Sequence, residues 1–283
     1  MSKNVKSKSY NLDDTFSITM ELERPLNLNE LKNEVYNEDE NKPNNRILKP
    51  IFYIIAIGII GFFIWTSITY KPHLLAKEAL ISDSNVEVRI DKNIYFTPKN
   101  SIPTKGFIFY PGAKVEPEAY APLCKKIAEN GYEVVIVHMP LNLAILSYNK
   151  GENIINEFSN IKTWVVGGDS LGGSMASKFA AENTMVDGVV LISSYPLSDD
   201  LKNIGKDVLS IWGSKDGIVD FEKLIESKNN LPDNTDYVEI EGGNHSQFGD
   251  YGDLKGDQTP IIDREKQINI AADNISRIID NIN

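Results

Sequence analysis

Ser170 carries the clearest chemical signature in the sequence, because it stands inside Gly168-Asp169-Ser170-Leu171-Gly172. This GxSxG pattern follows the apolar run TWVV and precedes a stretch of small residues. It predicts a tight strand-to-helix turn, where glycines at the flanking positions avoid collisions and the serine hydroxyl is lifted clear of the backbone. Ser170 is therefore a candidate nucleophile. The plainer alternative is a serine that only caps the following helix.

A serine nucleophile needs a general base, and the chain offers three histidines: His73, His138 and His245. His245 lies in a glycine loop after the run DYVEIE, where a general base has to sit. His73 comes shortly after a long apolar segment, and His138 ends an apolar run, where a hydrogen-bonded packing role is the simpler interpretation. His245 is the predicted base.

An acidic residue is expected to orient the imidazole of that base through Nδ1. Asp216, in GSKDG after the run DVLSIW, is the candidate. An ordinary Asp-Gly turn is the alternative interpretation of this segment. Asp220 is the nearest substitute.

The segment YPGAK (110–114), after the run GFIFY, is a fourth loop of interest. A glycine turn here can point a backbone N–H at a substrate carbonyl. The backbone N–H groups of Ala113 and Leu171 are therefore the expected donors to an oxyanion. A plain Pro-Gly turn is the competing interpretation.

Short apolar runs precede all four loops, and helical stretches lie between the runs. The predicted strands are GFIFY (106–110), EVVIVHM (133–139), TWVVGG (163–168), DGVVLISS (187–194), DVLSIWG (207–213) and DYVEIEG (236–242). Helices are expected at 119–131, after Leu171, at 219–227 and at 261–282. This alternation predicts an α/β fold with a mostly parallel twisted sheet and helices on both faces. Residues 86–90 and 93–98 are expected to form an antiparallel hairpin at its edge.

From about Thr104 onward the chain resembles the α/β-hydrolase fold family, and in particular its compact bacterial fold-5 members. The resemblance rests on FYPGAKVEPEAYAPL, VVIVHMPLNLAIL, GGDSLGG, GSKDGIV, and EGGNHSQFGDYG followed by KGDQTP. It implies a serine hydrolase acting on esters or related acyl bonds, without metal or organic cofactor. The family's catalytic serine, acid and histidine carry over to Ser170, Asp216 and His245, in the family's chain order.

Two features narrow this resemblance. About thirteen residues, Ser194 to Lys206, separate DGVVLIS from DVLSIWG, where many lipases carry a cap domain. A minimal cap or none is therefore expected, with an open pocket. The letters GDSL also suggest the GDSL hydrolases, which resemble one another in a late Asp-x-x-His. Here Gly242 stands three residues before His245, and that assignment is rejected.

Composition limits the class of partner. The 283 residues contain 29 Lys and Arg against 40 Asp and Glu, a formal net charge of -11. Such an acidic chain repels a phosphate backbone, so nucleic acid is not an expected partner. The single cysteine, Cys124, has no second thiol for an internal disulfide or a zinc cluster.

The run IFYIIAIGIIGFFIWTSITY (51–70) contains no charged residue. As a helix it spans roughly 30 Å, the thickness of a bilayer's hydrocarbon core. It predicts a transmembrane helix. The alternative, a buried core helix, would have to hide apolar side chains on every face.

The orientation of this helix is predicted from its flanking charges. Lys42, Arg46 and Lys49 precede it, and Lys71 and Lys77 follow it. The small excess before the helix predicts a cytoplasmic N-terminus and an extracytoplasmic catalytic domain in the cell membrane.

Four segments result: a polar tail at 1–49, the transmembrane helix at 51–70, a linker at 71–85 and a hydrolase domain at 86–283. The tail is expected to be mostly disordered, apart from a short helix around Leu28–Tyr36. The expected partners are a small-molecule or lipid-like ester and the bilayer itself. The alternative function is a membrane-tethered binding or scaffold protein that keeps the fold without turnover.

Overall fold

The computed structural model describes residues 45–282. Most of the predicted polar tail, including the short helix expected at Leu28–Tyr36, lies outside the described residues. The chain divides into two compact units, Met1–Ile60 and Gly61–Asn283.

Helix α1 (Asn45–Ser67) carries most of the uncharged apolar segment. Its residues Leu48–Ser67 are long and apolar enough to cross a bilayer, and their most apolar 18-residue stretch contains no buried residue, unlike a core helix. Thr66, near the end of the helix, is buried. The helix ends earlier than the apolar run predicts. Near this end the hydroxyl of Ser67 donates to the carbonyl of Phe63 (2.7 Å), and Tyr70 forms a parallel β-bridge with Val115.

An eight-stranded sheet dominates the second unit. Its order is β1-β2-β4-β3-β5-β6-β7-β8, and every pair from β4 onward is parallel. The strands are β1 (Val86–Ile90), β2 (Ile94–Pro98), β3 (Lys105–Tyr110), β4 (Glu133–Ile136), β5 (Thr163–Asp169), β6 (Gly188–Ile192), β7 (Asp207–Gly213) and β8 (Asp236–Ile240). The predicted antiparallel hairpin is confirmed as β1 and β2 at one edge.

Helices cover both faces of this sheet, and two apolar clusters fill the space between them. They are α2 (Leu74–Ala79), α3 (Ala121–Glu129), α4 (Gly151–Glu157), α5 (Leu171–Glu182), α6 (Phe221–Glu226) and α7 (Arg264–Asn281). One cluster holds Leu123 of α3 and Ile275 of α7, and the other holds Ile154 of α4 and Phe179 of α5. The predicted α/β fold with a mostly parallel sheet and helices on both faces is confirmed.

Helix ends follow local sequence signals. Helix α3 stops at Asn130-Gly131, where Gly131 adopts φ 100°, a conformation that favours glycine. Helix α7 begins after Asp263, whose carboxylate accepts the backbone N–H of Lys266 at 2.7 Å.

Some elements differ from the predicted ones. Strand β4 ends at Ile136, although the apolar run continues to Met139. Residues 137–139 leave the ladder because the chain turns there into a series of short 3₁₀ turns across residues 140–150. Those turns and helix α4 have no clear apolar period, so the sequence did not predict them.

The segment between α1 and the sheet is partly structured. Helix α2 lies within residues 71–85, and its Ala76 is fully buried. The backbone N–H of Ala76 donates to Asp250 Oδ2 at 3.0 Å.

The parallel strands β3, β5, β6, β7 and β8 end at the same edge of the sheet, which brings their following loops together. The connection from β6 to β7, residues 193–206, contains neither helix nor strand. It therefore adds no folded layer over that edge.

Candidate active site

Ser170 occupies a sharp turn between β5 and α5. Its backbone has φ 52° and ψ -122°, a strained conformation for a residue with a side chain. The backbone N–H of Ser170 donates to the carbonyl of Ile192 at 2.9 Å, which fixes the turn against β6. The side chain is half-buried and lines two cavities at the edge of the sheet.

The two glycines around this turn are required by close backbone approaches. A Cβ on Gly168 would meet the carbonyl oxygen of Tyr110 at the end of β3, and also the backbone of Gly172. A Cβ on Gly172 would meet the carbonyl oxygens of Tyr110 and Pro111. Helix α5 can start this close to β3 only because both positions lack a side chain.

Asp216 lies in the turn after β7, is 1% exposed, and is bound at both carboxylate oxygens. Its Oδ1 accepts the backbone N–H groups of Ile218 and Val219, each at 2.8 Å. Its Oδ2 lies 2.8 Å from His245 Nδ1. Asp220, the substitute considered from the sequence, instead caps α6 by accepting the backbone N–H of Lys223 at 3.2 Å.

His245 lies in the loop after β8 and is 2% exposed. Gly242 begins this loop with φ 77°. Besides the bond from Nδ1 to Asp216, the imidazole places Nε2 3.9 Å from Asp169 Oδ1. In the part of the chain that the structure describes, no hydrogen bond joins Nε2 to the hydroxyl of Ser170.

The other two histidines lie in different settings. His138 Nε2 is 3.5 Å from Glu118 Oε1 in a half-buried pair. His73 precedes α2, and its backbone N–H donates to the carbonyl of Asp250 at 2.8 Å.

Charges around the imidazole favour its protonated form. Burial opposes that charge, but the nearby carboxylates of Asp169 and Asp216 outweigh it and raise the pKa of His245 to about 9. Burial raises the pKa of Asp169 to about 6. Burial also works against ionised Asp216, yet the hydrogen bond and charge of His245 hold its pKa below the ordinary value.

Two cavities flank Ser170. The larger, about 330 Å³, is lined by Leu171, Ser193, Tyr195 and Val219 among others. The smaller, about 210 Å³, is lined by Gly112, Ala113 and Tyr251 among others. Ser170 and His245 line both cavities.

Of the expected oxyanion donors, Leu171 lines the larger cavity and Ala113 the smaller, and Ser170 lines both. Leu171 is the first residue of α5, where a backbone N–H has no helical acceptor. Beside Ala113, the backbone N–H of Gly112 is already used, because it donates to the hydroxyl of Tyr120 at 3.2 Å.

Sequence reasoning assigned no role to Asp169 or Asp257, and the structure brings both against His245. Asp257 Oδ1 accepts the backbone N–H of Gly217 at 2.9 Å and that of His245 at 3.4 Å. It thereby joins the loop that carries Asp216 to the loop that carries His245. Asp257 lies in the KGDQTP segment noted in the sequence, but that segment alone does not indicate the contacts of Asp257 with the two loops.

Two further observations concern cofactor chemistry. Within residues 45–282, no group of three or more His, Cys, Asp or Glu side chains is arranged to hold a metal ion. Cys124 is buried in α3, and this burial raises the pKa of its thiol well above the ordinary value.

Comparisons with known proteins show the family of this chain. The alpha/beta hydrolase family matches residues 106–269, which is more than half of the chain. No curated protein matches the sequence.

Solved structures show the same fold at low identity. Est1E from Butyrivibrio proteoclasticus is 15% identical, with a TM-score of 0.51 over 70% of this chain and 100% of that chain. A sugar hydrolase from Lactococcus lactis is 14% identical, with a TM-score of 0.53 over 70% of this chain and 100% of that chain. A ferulic acid esterase from Streptomyces cinnamoneus is 14% identical, with a TM-score of 0.53 over 64% of this chain and 68% of that chain.

Proposed function

Because this chain belongs to the alpha/beta hydrolase family, we propose that it is a serine hydrolase that cleaves an ester or related acyl bond. One observation carries the proposal. Asp216 and His245, 29 residues apart, meet through a 2.8 Å hydrogen bond beside the strained turn of Ser170. A buried carboxylate that fixes Nδ1 leaves Nε2 as the reactive nitrogen, which is the arrangement that a serine nucleophile needs.

The proposed reaction has two halves. His245 Nε2 takes the proton of Ser170, whose oxygen attacks the substrate carbonyl, and the backbone N–H groups of Ala113 and Leu171 receive the negative charge on the carbonyl oxygen. The protonated imidazole then gives its proton to the departing alcohol, which leaves an acyl group on Ser170. Water, activated by His245, attacks this acyl group and releases the acid.

Asp216 stays ionised throughout this cycle. Its hydrogen bond holds the ring orientation and stabilises the positive imidazole of each half-reaction. The backbone N–H groups of Ile218 and Val219 fix the carboxylate in turn.

The substrate class follows from the cavities. Together they have room for a small ester, and the short 193–206 connection leaves the edge uncovered by any helix or strand of its own. Leu197 and Ile218 are exposed apolar side chains in the lining of the larger cavity. A small-molecule or lipid-like ester fits this surface, and esterases are among the solved structures with the same fold.

The proposal includes a membrane anchor. Residues 51–67, the part of the predicted 51–70 span that lies within α1, would cross the bilayer. Residues 71–85 would link it to the hydrolase domain at 86–283, and the polar tail at 1–49 would lie in the cytoplasm. The length and apolar character of α1 support the span, and the flanking lysines and arginine support the orientation.

Labelling with a fluorophosphonate probe tests the proposed chemistry without knowledge of the substrate. The purified full chain should be labelled, and Ser170→Ala should abolish labelling and lower kcat for short-chain p-nitrophenyl esters by on the order of 10⁶. Ser177→Ala is the matched control, because Ser177 lies further along α5, its hydroxyl donates to the carbonyl of Ser174 at 2.8 Å, and it lines neither of the two cavities beside Ser170. A folded wild-type chain that stays unlabelled from pH 6 to 10 would instead favour the membrane-tethered binding protein.

A further inference from the structure

Asp169 is a buried carboxylate that the proposed mechanism does not use. It is the last residue of β5, and it is 1% exposed. Its Oδ1 lies 3.9 Å from His245 Nε2, the nitrogen that must receive the proton of Ser170. Among the described residues, this oxygen has no hydrogen-bond partner, which is costly for a buried carboxylate unless a charge lies nearby.

The other oxygen of Asp169 is held firmly. The hydroxyl of Tyr120 donates to Oδ2 at 2.6 Å, and the backbone N–H of Gly112 donates to the same hydroxyl at 3.2 Å. The ring of Tyr120 packs against those of Phe109 and Tyr251. The carboxylate therefore cannot rotate away from the imidazole without breaking this set of contacts.

Other carboxylates near His245 contact atoms other than Nε2. Asp216 bonds Nδ1, and Asp257 accepts the backbone N–H. Within residues 45–282, Asp169 is the carboxylate that comes within 4.0 Å of Nε2. The remaining ionisable side chains in the linings of the two cavities that His245 borders are Tyr70, Tyr251 and Lys255 in the smaller cavity, and Asp220, Lys223 and Tyr195 in the larger.

We propose that Asp169 is a positioning residue that pairs with Nε2 and holds His245 as an imidazolium in the resting protein. This inference rests on the proposed function, because it assigns His245 as the base. Held in this way, Nε2 already carries a proton, so it must first lose that proton to solvent before it can accept the proton of Ser170. After that transfer the same carboxylate stabilises the imidazolium that forms. Asp169 thus keeps Nε2 protonated at low pH, where it cannot act as a base, and stabilises the imidazolium after Nε2 has accepted the proton of Ser170.

The pKa values agree with this geometry. The pKa of His245 is raised to about 9 and that of Asp169 to about 6, so both groups are charged between these limits. Since an opposite charge within 4–6 Å shifts a pKa by about 1–3 units, removal of the Asp169 charge should lower the pKa of His245 by at least about one unit.

Histidine NMR titration of the full chain in detergent micelles tests the pairing directly. Ring-labelled histidine gives three signals, and His73→Gln and His138→Gln variants identify the remaining one as His245. In Asp169→Asn, which keeps the shape but removes the charge, the His245 titration should move to lower pH by about one unit or more. Glu118→Gln is the matched control, because it removes a carboxylate 3.5 Å from His138 and should leave His245 unchanged.

The pH dependence of kcat/KM for a p-nitrophenyl ester supplies a second readout. Its acid limb should move to lower pH in Asp169→Asn by the same amount as the His245 titration. A merely structural role for Asp169 would lower the rate at every pH without moving that limb. Equal titration of His245 in wild type and Asp169→Asn would overturn the inference.

The wild-type titration keeps the test decisive if Asp169→Asn does not fold. A His245 pKa well above the ordinary 6.5 supports the pairing, whereas a value at or below 6.5 refutes it. Failure of the proposed function looks different: the wild-type chain would not react with a fluorophosphonate at any pH, whatever the titration of His245.

Discussion

The carboxylate of Asp257 accepts both the backbone N–H and the hydroxyl of Ser246, at 2.8 and 2.6 Å. Ser246 directly follows His245, and the other oxygen of Asp257 accepts the N–H of Gly217, directly after Asp216. One side chain therefore holds together the two loops that carry the proposed acid and the proposed base.

Asp257→Asn should lower kcat by about 10- to 100-fold with a small change in KM, because a slight misplacement of the acid and base costs this much. Asn keeps one acceptor oxygen, so its amide nitrogen must face either the Ser246 N–H and hydroxyl or the Gly217 N–H, and one of the two loops loses its hydrogen bonds to this side chain. Steady-state kinetics on a p-nitrophenyl ester measure the effect. Asp253→Asn, at an exposed position in the same loop, is the control, and an equal loss in both variants would contradict this role of Asp257.

Gly112→Ala should lower kcat by about 10²- to 10³-fold, the range for loss of one oxyanion donor. The added Cβ would lie 2.7 Å from the Tyr120 hydroxyl and 2.8 Å from Asp169 Oδ2, so the turn must shift and take the N–H of Ala113 with it. Gly61→Ala adds the same methyl group where no atom lies within 4 Å, and it should leave kcat unchanged. An unaltered rate in Gly112→Ala would argue against Ala113 as a donor.

Stability should fall as the pH rises from about 6.5 through 9. The pKa of His245 is raised to about 9 in the folded chain, against an unfolded value of about 6.5. The folded state therefore binds this proton more tightly than the unfolded state does. The resulting contribution to the free energy of unfolding is fully present below pH 6.5 and is lost as the pH rises above 9. Thermal unfolding of wild type and His245→Gln checks it: the difference in Tm should narrow by a few degrees across this window. A constant difference would exclude a raised pKa.

The membrane anchor predicts that the protein resists extraction with alkaline carbonate. Protease added to intact cells should digest the domain after Lys71 and spare residues 1–49, since the excess of basic residues lies before the helix. Antibodies against each segment read out the digestion. Digestion of the tail with survival of the domain would show the opposite orientation. Release of the protein by carbonate would show that residues 51–70 do not span the membrane.

The sequence predicted the elements that carry the site, because strand-turn-helix patterns are local. GxSxG after TWVV located Ser170, and glycine loops after two further strands located Asp216 and His245. Their meeting followed from the rule that parallel strands end at one edge. The same locality explains why β1 and β2 could be predicted as a hairpin.

Other contacts could not be predicted, because they depend on side chains that meet only in the folded chain. Tyr120 and Asp169 are 49 residues apart and bond through a hydroxyl that no local pattern marks. Asp169 occupies a variable position of the GxSxG motif, so the sequence does not indicate that its carboxylate lies near His245 Nε2. Helix α4 and the 3₁₀ turns before it owe their form to packing under α5, not to an apolar period.

The short connection at residues 193–206 also bears on the rate of the reaction. Hydrolases with a mobile lid often turn over no faster than that lid opens, since product escape waits for the motion. Residues 193–206 contain no helix or strand to serve as such a gate. For the proposed hydrolase we therefore expect turnover to be limited by bond breaking at Ser170 or by diffusion of product from the cleft, for dispersed and aggregated substrates alike.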